Sequence, residues 1–105
     1  MPKPKKAARG KHRWVAFRHE DTINRSNLKQ ELHINLEGFE WRLFDVLDSN
    51  GETFAILKTP LEDYGGLILK INNTEGMSTF SSSGKIRLLR QRLYSLIGKD
   101  PSNII

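Results

Sequence analysis

Hydroxyls, glycine and cations meet in one stretch of this chain: Ser81-Ser82-Ser83-Gly84-Lys85-Ile86-Arg87-Leu88-Leu89-Arg90-Gln91-Arg92-Leu93-Tyr94. Residues of these types suit one chemistry above others, the holding of phosphate oxygens. Ile86, Leu89, Leu93, Leu96 and Ile97 recur at helical spacing and predict a helix with one buried stripe. At about 100° per residue, Lys85 and Arg92 fall on one edge of that stripe, and Arg87 and Arg90 on the other or behind it. The start of such a helix offers free backbone N–H groups and the positive end of its dipole, beside the serine hydroxyls and Lys85. This end is expected to hold phosphate, specifically the backbone of an RNA.

Catalytic readings of the same residue types fail one by one. Gly84-Lys85 resembles the end of a nucleotide-binding P-loop, but that motif needs glycine where Thr79 stands and Ser or Thr where Ile86 stands. His12, His19 and His33 lack metal-ligand spacing, and the chain has no cysteine to assist them. The serines have no Gly-x-Ser-x-Gly context. Glu20-Asp21 and Glu62-Asp63 are adjacent pairs, whose side chains point different ways on a helix or strand. The expectation is a non-catalytic protein with no cofactor and no metal.

The net charge of +5 hides a segregation. Residues 1–19 hold seven basic and no acidic residues, residues 20–84 five basic and eleven acidic, and residues 85–105 five basic and one acidic. The cation excess therefore sits in two separate segments, the footprint of a polyanion partner. A length of 105 residues allows one small domain, with Trp14, Trp41 and five Phe to build its core. The absence of cysteine and of any apolar run long enough for a membrane span or signal peptide predicts a cytoplasmic protein with no membrane partner.

The elements that must position the basic residues follow in order. Residues 1–12 are rich in Pro, Lys and Gly and predict a basic tail, disordered when free. The first strand spans Arg13–Arg18, with Val15 and Phe17 on one face and Trp14, Ala16 and Arg18 on the other. Trp14 suits either the core or the stacking of a base. Ser26 is the expected N-cap of a helix carrying Leu28, Leu32 and Ile34. Residues 40–48 and 53–59 read as a hairpin, with Trp41, Leu43 and Leu47 alternating with Phe44 and Val46. Its turn, Asn50-Gly51, accepts positive φ at both positions. Leu61, Tyr64, Leu67, Ile68 and Ile71 fit a second helix opened by Pro60, its Gly65-Gly66 packing closely on the sheet. Leu67, Leu69 and Ile71 also fit strand alternation. Met77–Phe80 forms a short last strand leading into the basic helix, which Gly98-Lys99-Asp100-Pro101 stops. The order strand, helix, strand, strand, helix, strand, helix predicts an α+β fold, a ferredoxin-like or RRM-like α–β sandwich with an extra C-terminal helix. Residues 13–98 form the RNA-binding domain and residues 99–105 a C-terminal tail. The RRM recognition strand is matched only loosely by Gly51-Glu52-Thr53-Phe54-Ala55-Ile56-Leu57, so phosphate and shape recognition is favoured over base stacking on an open sheet.

Arg13-Trp14-Val15-Ala16-Phe17 and Ser83-Gly84-Lys85-Ile86-Arg87-Leu88-Leu89-Arg90, in this order and at this distance, resemble the ribonuclease P protein component 2 family of archaea and eukaryotes. The resemblance implies an RRM-like sandwich that catalyses nothing itself. It implies binding to the RNA that removes the 5′ leader of precursor tRNA, alongside a partner protein. A ribosomal protein, a paralogue of that family gripping rRNA with a long basic tail, is the alternative. The expected RNA contacts are Lys3, Lys5, Lys6, Arg9, Lys11, Arg13 and Arg18 from the N-terminal segment and Ser82, Ser83, Lys85, Arg87, Arg90 and Arg92 from the basic helix. The expected partners are a structured RNA, either ribonuclease P RNA or rRNA, and neighbouring proteins of the same particle.

Overall fold

The computed structural model of this protein describes residues 11–98. The expected tails, apart from Lys11 and His12, lie outside the described residues. Elements follow the order β1 (His12–His19), α1 (Arg25–Asn35), β2 (Arg42–Ser49), β3 (Glu52–Pro60), α2 (Leu61–Asn72), β4 (Met77–Ser83) and α3 (Ile86–Leu96). The four strands form one antiparallel sheet in the order β2-β3-β1-β4. This α+β arrangement is compatible with a ferredoxin-like sandwich. No helix among the described residues is long and apolar enough to cross a membrane.

Alternation along β1 divides the core in two. Val15 and Phe17 face α1 and α2, where Leu28, Leu32, Leu36, Leu57, Leu67 and Ile71 complete a buried cluster. Ala16 faces the other way, and with Phe54, Ile56, Leu89, Leu93 and Tyr94 it forms a second cluster beneath α3. The chain's own C-terminal helix thus covers the sheet face opposite α1 and α2. Trp14 is half-buried at the border of this second cluster. Leu96, expected in the buried stripe of α3, is 60% exposed; Tyr94 takes a buried place instead.

Turn chemistry holds the hairpin where the sequence put it. Asn50 and Gly51 have φ of 52° and 82° and join the cross-strand pair Ser49 and Glu52. The strand beyond differs from simple alternation. β2 carries a bulge: Leu43 pairs with Leu57 and Asp45 with Ile56, leaving Phe44 as the extra residue. Val46 therefore joins Leu43 on the α1 and α2 side, and Leu47 joins the cluster under α3. A second bulge, at Phe80, lies between the pairs Ala16 with Ser81 and Phe17 with Thr79.

Three local expectations are corrected. The N-cap of α1 is Asn24, whose Oδ1 accepts from the Asn27 N–H at 2.8 Å, so Ser26 already lies inside the helix. Beginning at Arg25 lets that side chain reach β2, and Ile34 ends 75% exposed while Leu36 fills the core position. Residues 61–72 are helical, and of the glycine pair only Gly66 is closely packed. A Cβ at Gly66 would stand 2.8 Å from the Phe39 ring, not the sheet, while one at Gly65 would meet nothing within 4 Å. The last strand continues through Ser83, because Ser81, Ser82 and Ser83 pair with Ala16, Val15 and Trp14.

Candidate nucleic-acid interface

β4 delivers the serine run to its end beside the start of β1. Ser83 Oγ accepts from the Lys85 N–H at 3.0 Å and closes the turn into α3. Lys85 is the N-cap of α3, and its side chain makes no capping hydrogen bond. Ser82 Oγ shares a 2.7 Å hydrogen bond with Tyr64 Oη. Arg92 reaches back from α3 to donate to Ser81 Oγ at 3.0 Å and to the Ser82 carbonyl at 3.1 Å. Arg13 lies on the α2 side, its guanidinium carbon 5.2 Å from the centre of the Tyr64 ring, while its Nε is buried without a hydrogen-bond partner. Ser81–Ser83 are therefore strand residues bound to their neighbours rather than a free hydroxyl cradle.

Each expected contact residue has its own situation. Lys11, Lys85, Arg87 and Arg92 are exposed and Arg13 half-exposed, and none of the five makes an ion pair with a carboxylate of the described residues. Arg18 pairs with Glu52. Arg90 gives Nε and Nη2 to Asp45 at 2.8 and 2.9 Å, a bidentate pair that Tyr94 Oη joins at 3.1 Å. Its hydrogen bond to Asp45 holds the Arg90 guanidinium further toward its charged form. Burial, and then the charge of Asp45, push the Tyr94 phenol above its ordinary range. Arg90 is thus committed to seating α3. Lys3, Lys5, Lys6 and Arg9 lie outside the described residues.

Register then sorts charge along the sheet. One end holds the start of β1, the start of β2 and the ends of β3 and β4, with the pairs His12 with Pro60, Arg42 with Lys58 and Trp14 with Ser83. Lys11, Arg13, Arg42, Lys58 and Lys85 gather there. The opposite end holds the pairs His19 with Thr53, His19 with Met77 and Ser49 with Glu52. There lie Glu20, Asp21, Asp48, Glu52 and Glu75. Glu20 packs on Gly76, and Thr53 bonds both Asp21 and Asp48, which ties those acids to this end.

Arg42 and Lys58 were invisible as site residues in the sequence. Counting back from Asn50-Gly51 without a bulge would set Lys58 opposite Leu43; the extra residue Phe44 sets it opposite Arg42. A cleft of about 540 Å³ opens at this end, lined among others by Lys11, His12, Trp41, Arg42 and Lys58. Glu40 and Glu62 also line it. No three His, Asp or Glu side chains among the described residues come together so as to hold a metal ion. Searches against models of known protein families and against curated proteins return no match to this chain.

Proposed function

We propose that this protein is a non-catalytic RNA-binding subunit of a ribonucleoprotein, one that resembles ribonuclease P protein component 2 with an RRM-like sandwich and acts in the cytoplasm. The observation that carries the reading is the cationic end of the sheet. β1 begins there and α3 begins there, so the described parts of the two basic segments start side by side. Lys11, Arg13, Lys85, Arg87 and Arg92 have no carboxylate partner within the described residues, which leaves them available to phosphate. Lys11, Arg13, Lys85, Arg87 and Arg92 contact the RNA backbone, with Lys3, Lys5, Lys6 and Arg9 extending the same charge. Arg90 keeps α3 in position, and Arg18 contributes field rather than direct contact. Catalysis belongs to the RNA.

A ribosomal protein is the second reading. The seven basic residues within residues 1–19 favour it, since such segments thread between RNA helices. Both readings share one test. Arg87→Gln with Arg92→Gln lowers affinity for duplex RNA about tenfold and lowers the salt slope by about one to two. An unchanged slope removes phosphate contact from α3. Sequencing of RNA that co-purifies with the protein from its native cells separates ribonuclease P RNA from rRNA, and recovery of neither defeats both readings.

A further inference from the structure

The rim between α1 and edge strand β2 carries a second groove, of about 470 Å³. Arg25, Lys29, His33, Trp41, Arg42 and Phe44 line it, and no carboxylate does. One of its rings lies beside a cation and two pack against other rings. Arg42 stands 5.6 Å from the centre of the Phe44 ring, Phe44 meets Trp14 edge-on at 4.7 Å, and His33 lies 4.9 Å from Trp41. Trp41 and Arg42 line the cleft at the cationic end as well, so the two depressions share a wall.

We infer that this groove binds a short run of single-stranded RNA, its bases stacking on Trp41 and Phe44 and its phosphates meeting Lys29 and Arg42. The inference rests on the RNA-binding reading above and deepens it. Aromatic side chains and cations lining one groove suit an unpaired strand, whose bases are free to stack; a duplex hides its bases and offers only phosphate and shape. The groove's volume falls within the range of about 300–1,000 Å³ usual for small-ligand sites. An extended acidic peptide fits less well. Adding a strand to β2 needs free backbone groups, but Arg25 holds the Leu43 and Phe44 carbonyls at 2.8 and 2.7 Å, and the bulge breaks the edge at that point. The protein therefore holds duplex on its cationic end and single strand along its β2 rim, the two sites meeting at Arg42.

The test uses the full chain, fluorescein-labelled deca-uridylate and a labelled RNA duplex of ten base pairs, followed by anisotropy. A Trp14→Phe background leaves Trp41 as the only tryptophan. Deca-uridylate quenches that emission, and Lys29→Gln with His33→Gln, which line this groove and not the cleft at the cationic end, lowers its affinity about fivefold to tenfold while duplex affinity changes less than threefold. Phe44→Leu lowers deca-uridylate affinity by about the same factor, with unchanged charge. Circular dichroism checks that each variant is folded, and a variant that is not is replaced by Lys29→Gln alone, whose side chain is exposed. The inference is overturned if deca-uridylate leaves Trp41 emission unchanged, if the double variant weakens duplex and single strand equally, or if oligo-glutamate competes as well as deca-uridylate. Duplex binding without single-strand binding defeats this inference alone; loss of both defeats the RNA-binding reading with it.

Discussion

Asp45 accepts two hydrogen bonds from the Arg90 guanidinium and one from Tyr94 Oη, joining strand β2 to helix α3 across the second core cluster. The carboxylate is largely covered, its side chain 13% exposed, so its lone pairs have few water substitutes. Hydrogen bonds to a charged group contribute about 1.5–3 kcal/mol. Asp45→Asn is therefore expected to lower unfolding free energy by about 2 kcal/mol, read by urea denaturation. Tyr94 adds a pH dependence to the same site. Its folded-state pKa is raised, so the folded protein holds the phenolic proton more tightly than the unfolded chain. The stabilisation is complete below the ordinary tyrosine value of about 10 and is lost as pH rises above it. Melting temperature should fall as pH rises above about 10, and Tyr94→Phe should flatten that fall while costing stability at neutral pH.

Helix α2 shows how two neighbouring glycines differ. Gly65 faces open space, so Gly65→Ala should stabilise the protein by about 0.5–1 kcal/mol through helix propensity and a more restricted unfolded chain. Gly66 lies against Phe39, and Gly66→Ala must displace that ring, a net loss of about 1–2 kcal/mol. Thermal melts of the two variants should shift in opposite directions. The sequence reveals this glycine pair but not which member matters, because Phe39 comes from the loop before β2. The same limit recurs elsewhere. Local signals such as Asn50-Gly51, the Leu28 and Leu32 spacing, and Gly98 with φ of 77° were legible and found in place. The bulge at Phe44 was not legible. A bulge depends on which residues across the sheet pack best, and it changes the face on which every later residue of β2 lies. Asp45 thereby became the partner of Arg90, and Lys58 the neighbour of Arg42. The serine run extends β4 for a related reason: Ser81–Ser83 have little strand propensity of their own, and pairing with β1 overrides it.

Across the molecule, cations outnumber acids at one end of the sheet and acids outnumber cations at the other, with Glu40 and Glu62 at the first and Arg18 at the second, so net charge alone describes it poorly. Lys85 and Lys70 are both exposed cations, but Lys85 begins α3 at the cationic end and Lys70 lies in the last turn of α2. Lys85→Gln and Lys70→Gln change net charge equally. The first should weaken duplex RNA binding about threefold to tenfold and the second should leave it nearly unchanged, measured by filter binding at fixed salt. Equal effects would mean that only total charge matters. The cationic end also has a place in time. β1 is made first among the strands, yet it pairs with β3 and β4, and Trp14 meets Ser83 only after most of the chain exists. The β2–β3 hairpin forms from neighbours in sequence, whereas the central strand must wait for distant partners. A growing chain on the ribosome therefore carries its first basic segment long before the second arrives to stand beside it. The cationic end is completed at the last stage of folding, and a polypeptide stopped short of β4 would carry the first basic segment without the second.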